Sequence, residues 1–478
     1  MMSKSITSRR ASTKKKRTKP VGAGFSRRAA AKDASRPASA KADAYRLIQI
    51  ASSLSIAVMQ DTNHVLNRIA FGPRPGDVVR IQEVGFEKYF EQQLHPDRIE
   101  DNAADARLAN LNSLQMRTAD LYDRYRPPRQ ARQLQMRPMF QNVPQQILQE
   151  LQAQKVIRAV QSERQLQEVM TDFWFNHFNV FWGKNADRWL TTNYEMTAIR
   201  PHVLGKFKDL LMATAKSPAM LFYLDNHLSS SIKGINENYA RELMELHTLG
   251  VDGGYTQKDV QEVARAFTGW SIDRPQVTGE FMFRPRMHDN GDKFILGHKV
   301  SAGGMRDGEA VIDILADHPS TARFISTKLV RRFVSDDPPA NLVRHIGEVY
   351  RKTDGDIRDM MRAIVTSKEF QSRDAIGAKT KTPFEYVVSA IRSLDGATDG
   401  SRPVVQAIAR MGQPLYQCQP PAGYPDHGDH WMSNGAILER LNFAVALAGK
   451  NIPGTLVNFD EPVKAVVARL GSPEFQKR

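Results

Sequence analysis

Residues 236–270 read NENYARELMELHTLGVDGGYTQKDVQEVARAFTGW, and this stretch constrains the fold more than any other. Asn236 is a good N-cap, and Gly250 can take the left-handed conformation that ends a helix. The spacing therefore predicts a helix over Glu237–Leu249. Thr256 with Asp259 three residues later has the form of a capping box, so a second helix starts there after the turn Asp252–Tyr255. Two helices joined by so short a turn make an αα-hairpin. The same punctuation recurs. Ser162-Glu163-Arg164-Gln165 reads as a capping box, and Leu166, Val169, Met170, Phe173, Trp174, His177 and Phe178 follow at the spacing of one helical face. A helix is also predicted over Glu195–Ala215, kinked at Pro201. Pro319 suits a first helical position, and Asp354-Gly355-Asp356 a cap. Phe281, Phe283 and Phe294-Ile295-Leu296 alternate around the turn-rich HDNGDK, as a strand pair would. The expected fold is mainly α, a large multi-helix domain built of αα-hairpins with at most one small β-hairpin near 280–297.

The net charge of +15 is concentrated at one end. Residues 1–46 carry 14 Lys/Arg against Asp33 and Asp43, whereas the remaining 53 Lys/Arg face 50 Asp/Glu. Nucleic-acid binding is thus expected only through this tail, whose composition predicts disorder. The predicted organisation is a basic tail over 1–46, an N-terminal helical segment over 47–100 and a polar insertion or linker over 101–143. A main helical domain over 144–450 and a C-terminal extension over 451–478 complete it. The best apolar run, Leu47–Met59, is interrupted by Gln49, Ser52, Ser53 and Ser55, so no membrane-spanning helix is expected. Arg9-Arg10 and Arg27-Arg28 have the pairing of a twin-arginine signal, but no apolar segment promptly follows either. Cys418, the single cysteine, excludes an internal disulfide.

Glu237, Arg241 and Glu245 lie at i, i+4 and i+8 on the first helix of the 236–270 stretch, with Glu242 on a neighbouring face. Such an arrangement is either an ion-pair ladder or a carboxylate pair lining a cleft for acid–base work. A bundle-type metal site needs Glu-x-x-His, which Glu242-Leu-Met-Glu245-Leu-His247 misses; metal and cofactor stay unassigned. His177 and His247 sit among apolar helix neighbours. His288 and Asp289 are either local turn residues or acid–base groups, with Lys293 as an anion binder. Trp182 and Trp270, with Asn179, are candidate substrate contacts, since aromatic rings beside carboxylates suit carbohydrate stacking and equally suit a core. The sequence holds no G-x-S-x-G, P-loop, H-E-x-x-H or dinucleotide fingerprint.

Several blocks resemble a large bacterial family known as domain of unknown function 1800. They are HVLNRIAFGPRPGD from His64, DFWFNHFNVF from Asp172, the 236–270 stretch, HDNGDKFILG, HPSTARFISTKLVRRFVSDDPP from His318, KTKTPFEYVVSAIRSL, and the PPAGYPD region ending at Trp431. The resemblance implies a mostly helical fold and supplies no activity. It also implies export, often by twin-arginine leaders, and a partner of the domain-of-unknown-function 1501 family. Periplasmic or exported placement follows from the resemblance; a tail that is no signal would place the chain in the cytoplasm. Two functions are carried forward. One is an envelope-associated hydrolase of a polysaccharide or other polar polymer, using Glu237, Arg241, Glu242, Glu245, His177, His288 and Asp289. The other is a non-catalytic helical scaffold or binding protein acting with a secreted partner.

Overall fold

The computed structural model describes residues 61–126 and 144–478. The expected basic tail, the paired arginines, the Leu47–Met59 run and residues 127–143 of the expected polar insertion lie outside the described residues. The described residues form one compact unit.

The chain opens with α1 (Thr62–Ile69), α2 (Asp77–Val84), α3 (Phe86–Leu94), α4 (Asn102–Leu108) and α5 (Thr118–Tyr125). Then come α6 (Gln145–Gln161), α7 (Gln165–His177), α8 (Asp187–Asn193), α9 (Phe207–Lys216), α10 (Pro218–Tyr223), α11 (Asn238–Glu242) and α12 (Gln257–Ala266). The second half holds α13 (Arg306–Asp317), α14 (Pro319–Phe333), α15 (Ala340–Lys352) and α16 (Ile357–Val365), followed by α17 (Pro383–Ser393), α18 (Arg402–Arg410), α19 (Asn434–Ala448) and α20 (Val463–Gly471). The mainly α expectation holds, and α14 with α15 and α19 with α20 pack as sequential helix pairs.

α6 is the axis of the fold, touching α4, α7, α8, α17 and α18. A helix covered on most sides must satisfy its polar side chains internally. Gln152 donates to the Leu415 carbonyl at 3.0 Å and Gln161 to the Thr398 carbonyl at 3.0 Å. Lys155 pairs with Asp172 at 2.8 Å. These bonds tie α6 to the 413–416 segment and to α7, which fixes the wall of the pocket described below.

The strands differ from expectation. Phe281–Phe283 pairs backwards with Trp270–Ile272 rather than forwards across HDNGDK. Lys293–Ile295 pairs instead with His298–Val300. The turn of that hairpin is Leu296-Gly297, both at positive φ, the backbone that a two-residue hairpin demands. A third pair joins Ala397–Thr398 to Thr455–Leu456.

Two helices depart from α geometry. The predicted Glu237–Leu249 helix is α only through α11 and continues as a π-helix over Leu243–Thr248, where the Thr248 hydroxyl donates to the Leu243 carbonyl at 2.7 Å. The predicted Glu195–Ala215 helix is a π-helix over Tyr194–Ile199, a 3₁₀ turn over Arg200–His202 and then α9. The Ser162 box is also replaced: α7 starts at Gln165, whose amide donates back to the Ser162 carbonyl at 2.8 Å, and the Ser162 hydroxyl donates to Asp101 at 2.6 Å. The Thr256/Asp259 capping box, the left-handed Gly250, Pro319 at the head of α14 and the Asp356 cap of α16 are all present.

Candidate functional site

The residues singled out in the sequence fall into four separate places. On α11 and its π-helical continuation, Arg241 bridges Glu237 at 3.2 Å and Glu245 at 3.5 Å and also donates to Gln257 at 2.9 Å. Glu242 stands apart from this ladder. It is half-buried and makes no hydrogen bond or ion pair with any described residue, and burial, then the Glu245 carboxylate, raises its pKa. His177 is enclosed by Phe173, Trp174, Phe178 and Phe324, with Nε2 against the His247 carbonyl at 3.1 Å. Burial pushes its pKa well down, and that of His247 to about 3, so both rings are neutral.

HDNGDK builds a buried polar knot. His288 Nε2 lies 3.0 Å from Asp307 Oδ2, and Lys293 Nζ lies 2.5 Å from the same oxygen. His288 Nδ1 faces the Thr268 carbonyl at 2.8 Å, and Gly303 N–H donates to Asp307 Oδ1 at 2.7 Å. Beside the knot, Arg265 grips Asp289 through two bonds of 2.9 and 3.0 Å, which hold that carboxyl down at about 2. Trp270 is buried against Phe267 and Phe281, and Gly308 must lack a side chain because a Cβ there would meet the indole at 2.6 Å. Trp182 stacks under Arg188 at 5.5 Å.

Among these residues only Asn179 reaches a well-formed cavity. It helps line a pocket that is partly open to solvent. α6 contributes Lys155, α7 contributes Asp172, Phe173 and Asn176, and α14 contributes Arg332. The approach to α17 adds Lys379 and Thr382, the first turn of α17 adds Glu385, the 413–431 loop adds Tyr416, Tyr424, Asp426 and Trp431, and Arg478 completes the wall. The loop is pinned by side-chain amides. Asn179 donates to the Cys418 and Pro420 carbonyls at 3.0 and 2.9 Å, and Asn176 both donates to the Tyr424 carbonyl at 2.9 Å and accepts from its N–H at 2.7 Å. Gly423 has φ +75°, and a Cβ there would meet the Asn176 carbonyl at 2.2 Å, so this crossing needs glycine.

The electrostatics of the pocket are lopsided. Glu385 forms ion pairs with Arg332 at 2.7 Å and with Arg478 at 3.2 Å. Burial alone would raise this carboxyl, but the two guanidiniums hold it at about 2. Burial, then Arg332, brings Arg478 down to about 9; burial, then Arg478, brings Lys379 down to about 8. Lys379 pairs with Asp336, Lys328 with Asp426, and Arg68 is buried behind. The Lys155 ammonium sits between the rings of Tyr416, Phe384 and Phe175 at 5.3, 5.4 and 5.6 Å. Tyr416 holds φ at +63°, a strained backbone for an aromatic residue, and donates its hydroxyl to the buried Glu195 at 2.6 Å. Four buried side-chain atoms on the pocket residues lack a hydrogen-bond partner: Arg332 Nη1, Arg478 Nε, Arg478 Nη1 and Trp431 Nε1. All four are donors. Arg478 Nε lies within ion-pair distance of Glu385, yet its N–H makes no hydrogen bond there.

The sequence reading missed this cluster, although one local signal was available. Lys379 and Lys381 stand immediately before α17, where a helix N-terminus disfavours cations. Among the described residues no group of three or more His, Cys, Asp or Glu side chains could hold a metal ion, and no helix is long and apolar enough to cross a membrane.

A mainly helical protein with a cation-rich pocket roofed by an irregular loop is the class that fold and site define. The chain belongs to the family described as protein of unknown function (DUF1800), whose model matches residues 64–478. No curated protein and no solved structure matches it.

Proposed function

We propose that this chain is a non-catalytic binding protein that takes the anionic group of a polar ligand into the pocket beneath the 413–431 loop. The supporting observation is the donor-only set of unpartnered atoms on Arg332, Arg478 and Trp431. A buried donor left unpaired costs about 1–3 kcal/mol, and an anion with several acceptor oxygens would recover that cost. In this reading the chain works beside a secreted partner of the kind the family resemblance implies. The test is calorimetric titration of the full chain with organic anions and with neutral saccharides. Anions should bind with an affinity that falls as salt rises, and Trp431→Phe should weaken them. Equal binding of neutral saccharides, or no binding of any anion, would overturn the proposal.

One observation favours the hydrolase reading instead. Glu242 is half-buried, unpaired and raised in pKa by burial and Glu245, as a general acid requires. An envelope-associated hydrolase of a polysaccharide or other polar polymer would then lose turnover in Glu242→Gln without losing thermal stability. Unchanged polymer cleavage in that variant would remove Glu242 from any mechanism.

A further inference from the structure

We infer that the anion this pocket takes is a tetrahedral oxyanion, carried as the dianionic phosphate of a monoester and held between Arg332, Arg478 and Trp431. The inference rests on the binding reading above and makes it chemically specific.

The unpartnered donors sit on three separate elements: α14, the turn Gly428–Trp431 and the segment after α20. A carboxylate accepts best near its own plane, whereas a tetrahedral oxyanion offers acceptor oxygens in every direction. A planar carboxylate already occupies the inner side of this corner. Glu385 forms ion pairs with both Arg332 and Arg478, yet Arg332 Nη1 and the Nε and Nη1 of Arg478 make no hydrogen bond.

Charge points the same way. The cations on the lining, or paired directly with it, are Lys155, Lys328, Arg332, Lys379 and Arg478; the anions are Asp172, Asp336, Glu385 and Asp426. Among these side chains one positive charge is left over. Arg68 supplies a second: it is fully buried, its Nε and Nη1 are unpartnered, and Arg478 and Arg332 are the charges that most disfavour its protonated form. A dianion neutralises this surplus, and a monoanion leaves half of it. α17 adds to the same field, since Thr382 and Glu385 at its head line the pocket and a helix N-terminus carries partial positive charge. Burial lowers the pKa of both Lys379 and Arg478, with Arg478 adding repulsion at Lys379 and Arg332 at Arg478, and a bound dianion would offset both effects. Binding above pH ~8 should therefore take up protons.

The experiment is calorimetric titration of the full chain at constant ionic strength with inorganic phosphate, inorganic sulfate and acetate, then with glucose 6-phosphate and glucose 6-sulfate. Phosphate and sulfate should bind at least tenfold more tightly than acetate. Glucose 6-phosphate should bind more tightly than glucose 6-sulfate, because the phosphate monoester carries nearly two charges at neutral pH and the sulfate monoester one. Arg478→Met should cost at least tenfold in phosphate affinity. Trp431→Phe, which removes one donor and keeps an aromatic ring, should cost several-fold and carries the test if Arg478→Met does not fold. Acetate binding as well as phosphate would overturn the tetrahedral assignment and leave the anion-binding reading standing. A preference for the sulfate monoester would overturn the dianion. Binding of none of these anions would overturn both readings.

Discussion

Two buried polar clusters in this protein use the same ingredients and end differently. In the knot around Asp307, Lys293 and His288 converge on one carboxylate, Gly303 takes its other oxygen, and no side-chain atom of the three is left unpartnered. In the corner around Glu385, two arginines converge on one carboxylate and three of their nitrogens make no hydrogen bond. A closed cluster has spent its hydrogen-bonding capacity on the fold. An open one retains capacity for something else. The contrast separates structure from site better than the density of polar residues does, because by density HDNGDK is the richer stretch.

The contrast can be broken most forcefully at Asp307. Asp307→Ala strands the buried Lys293 ammonium, and breaking a buried pair in this way costs about 3–5 kcal/mol. Denaturant unfolding should show a loss of that size, and a loss below about 1 kcal/mol would mean that the knot is not what holds this region. Arg478→Met should show the reverse balance. It removes one of two guanidiniums on Glu385 and leaves Arg332 to hold the carboxylate, so its loss of stability should stay below that of Asp307→Ala while its anion affinity collapses. A variant that loses both together would place Arg478 with the structural cluster.

Next in size is the pH response. Lys379 titrates at about 8 in the folded chain against an ordinary 10.5. The unfolded chain therefore holds the extra proton between those values, and stability should rise as pH climbs through this window. Anion affinity should fall over the same range, because Lys379 loses its charge. Parallel slopes in melting temperature and affinity would contradict the assignment. The smallest effect is expected at the surface ladder. Arg241→Ala should cost less than about 1 kcal/mol and leave anion titrations unchanged, since its partners Glu237 and Glu245 are substantially exposed.

What was legible in the sequence was local. The Thr256/Asp259 box, Gly250 and the apolar face beginning at Leu166 each depend on neighbours within a few positions, and each is present. The two π-helical stretches were not legible, because their extra residue is accommodated by packing rather than by any nearby residue type. The hairpin turn was misplaced for a related reason: HDNGDK has turn chemistry, but its side chains are drawn inward to Asp307 and Thr268 instead. The pocket was hidden by chain distance. Lys155, Arg332, Glu385, Trp431 and Arg478 share no spacing pattern, and each alone reads as an ordinary surface or core residue. Asn179 marked its edge only through the aromatic block around it.

The 413–431 loop carries a consequence for kinetics. Irregular segments are usually the first to exchange amide hydrogens and the first to be nicked by proteases. Here Asn176, Asn179 and Tyr223 each hold the loop's main chain through a side-chain hydrogen bond. Its Tyr424 amide should exchange slowly, and the stretch from Cys418 to Tyr424 should outlast the exposed turns under limited proteolysis. A roof fastened at so many points does not swing clear in one movement, so guests would leave this pocket on the timescale of local unbolting rather than of diffusion.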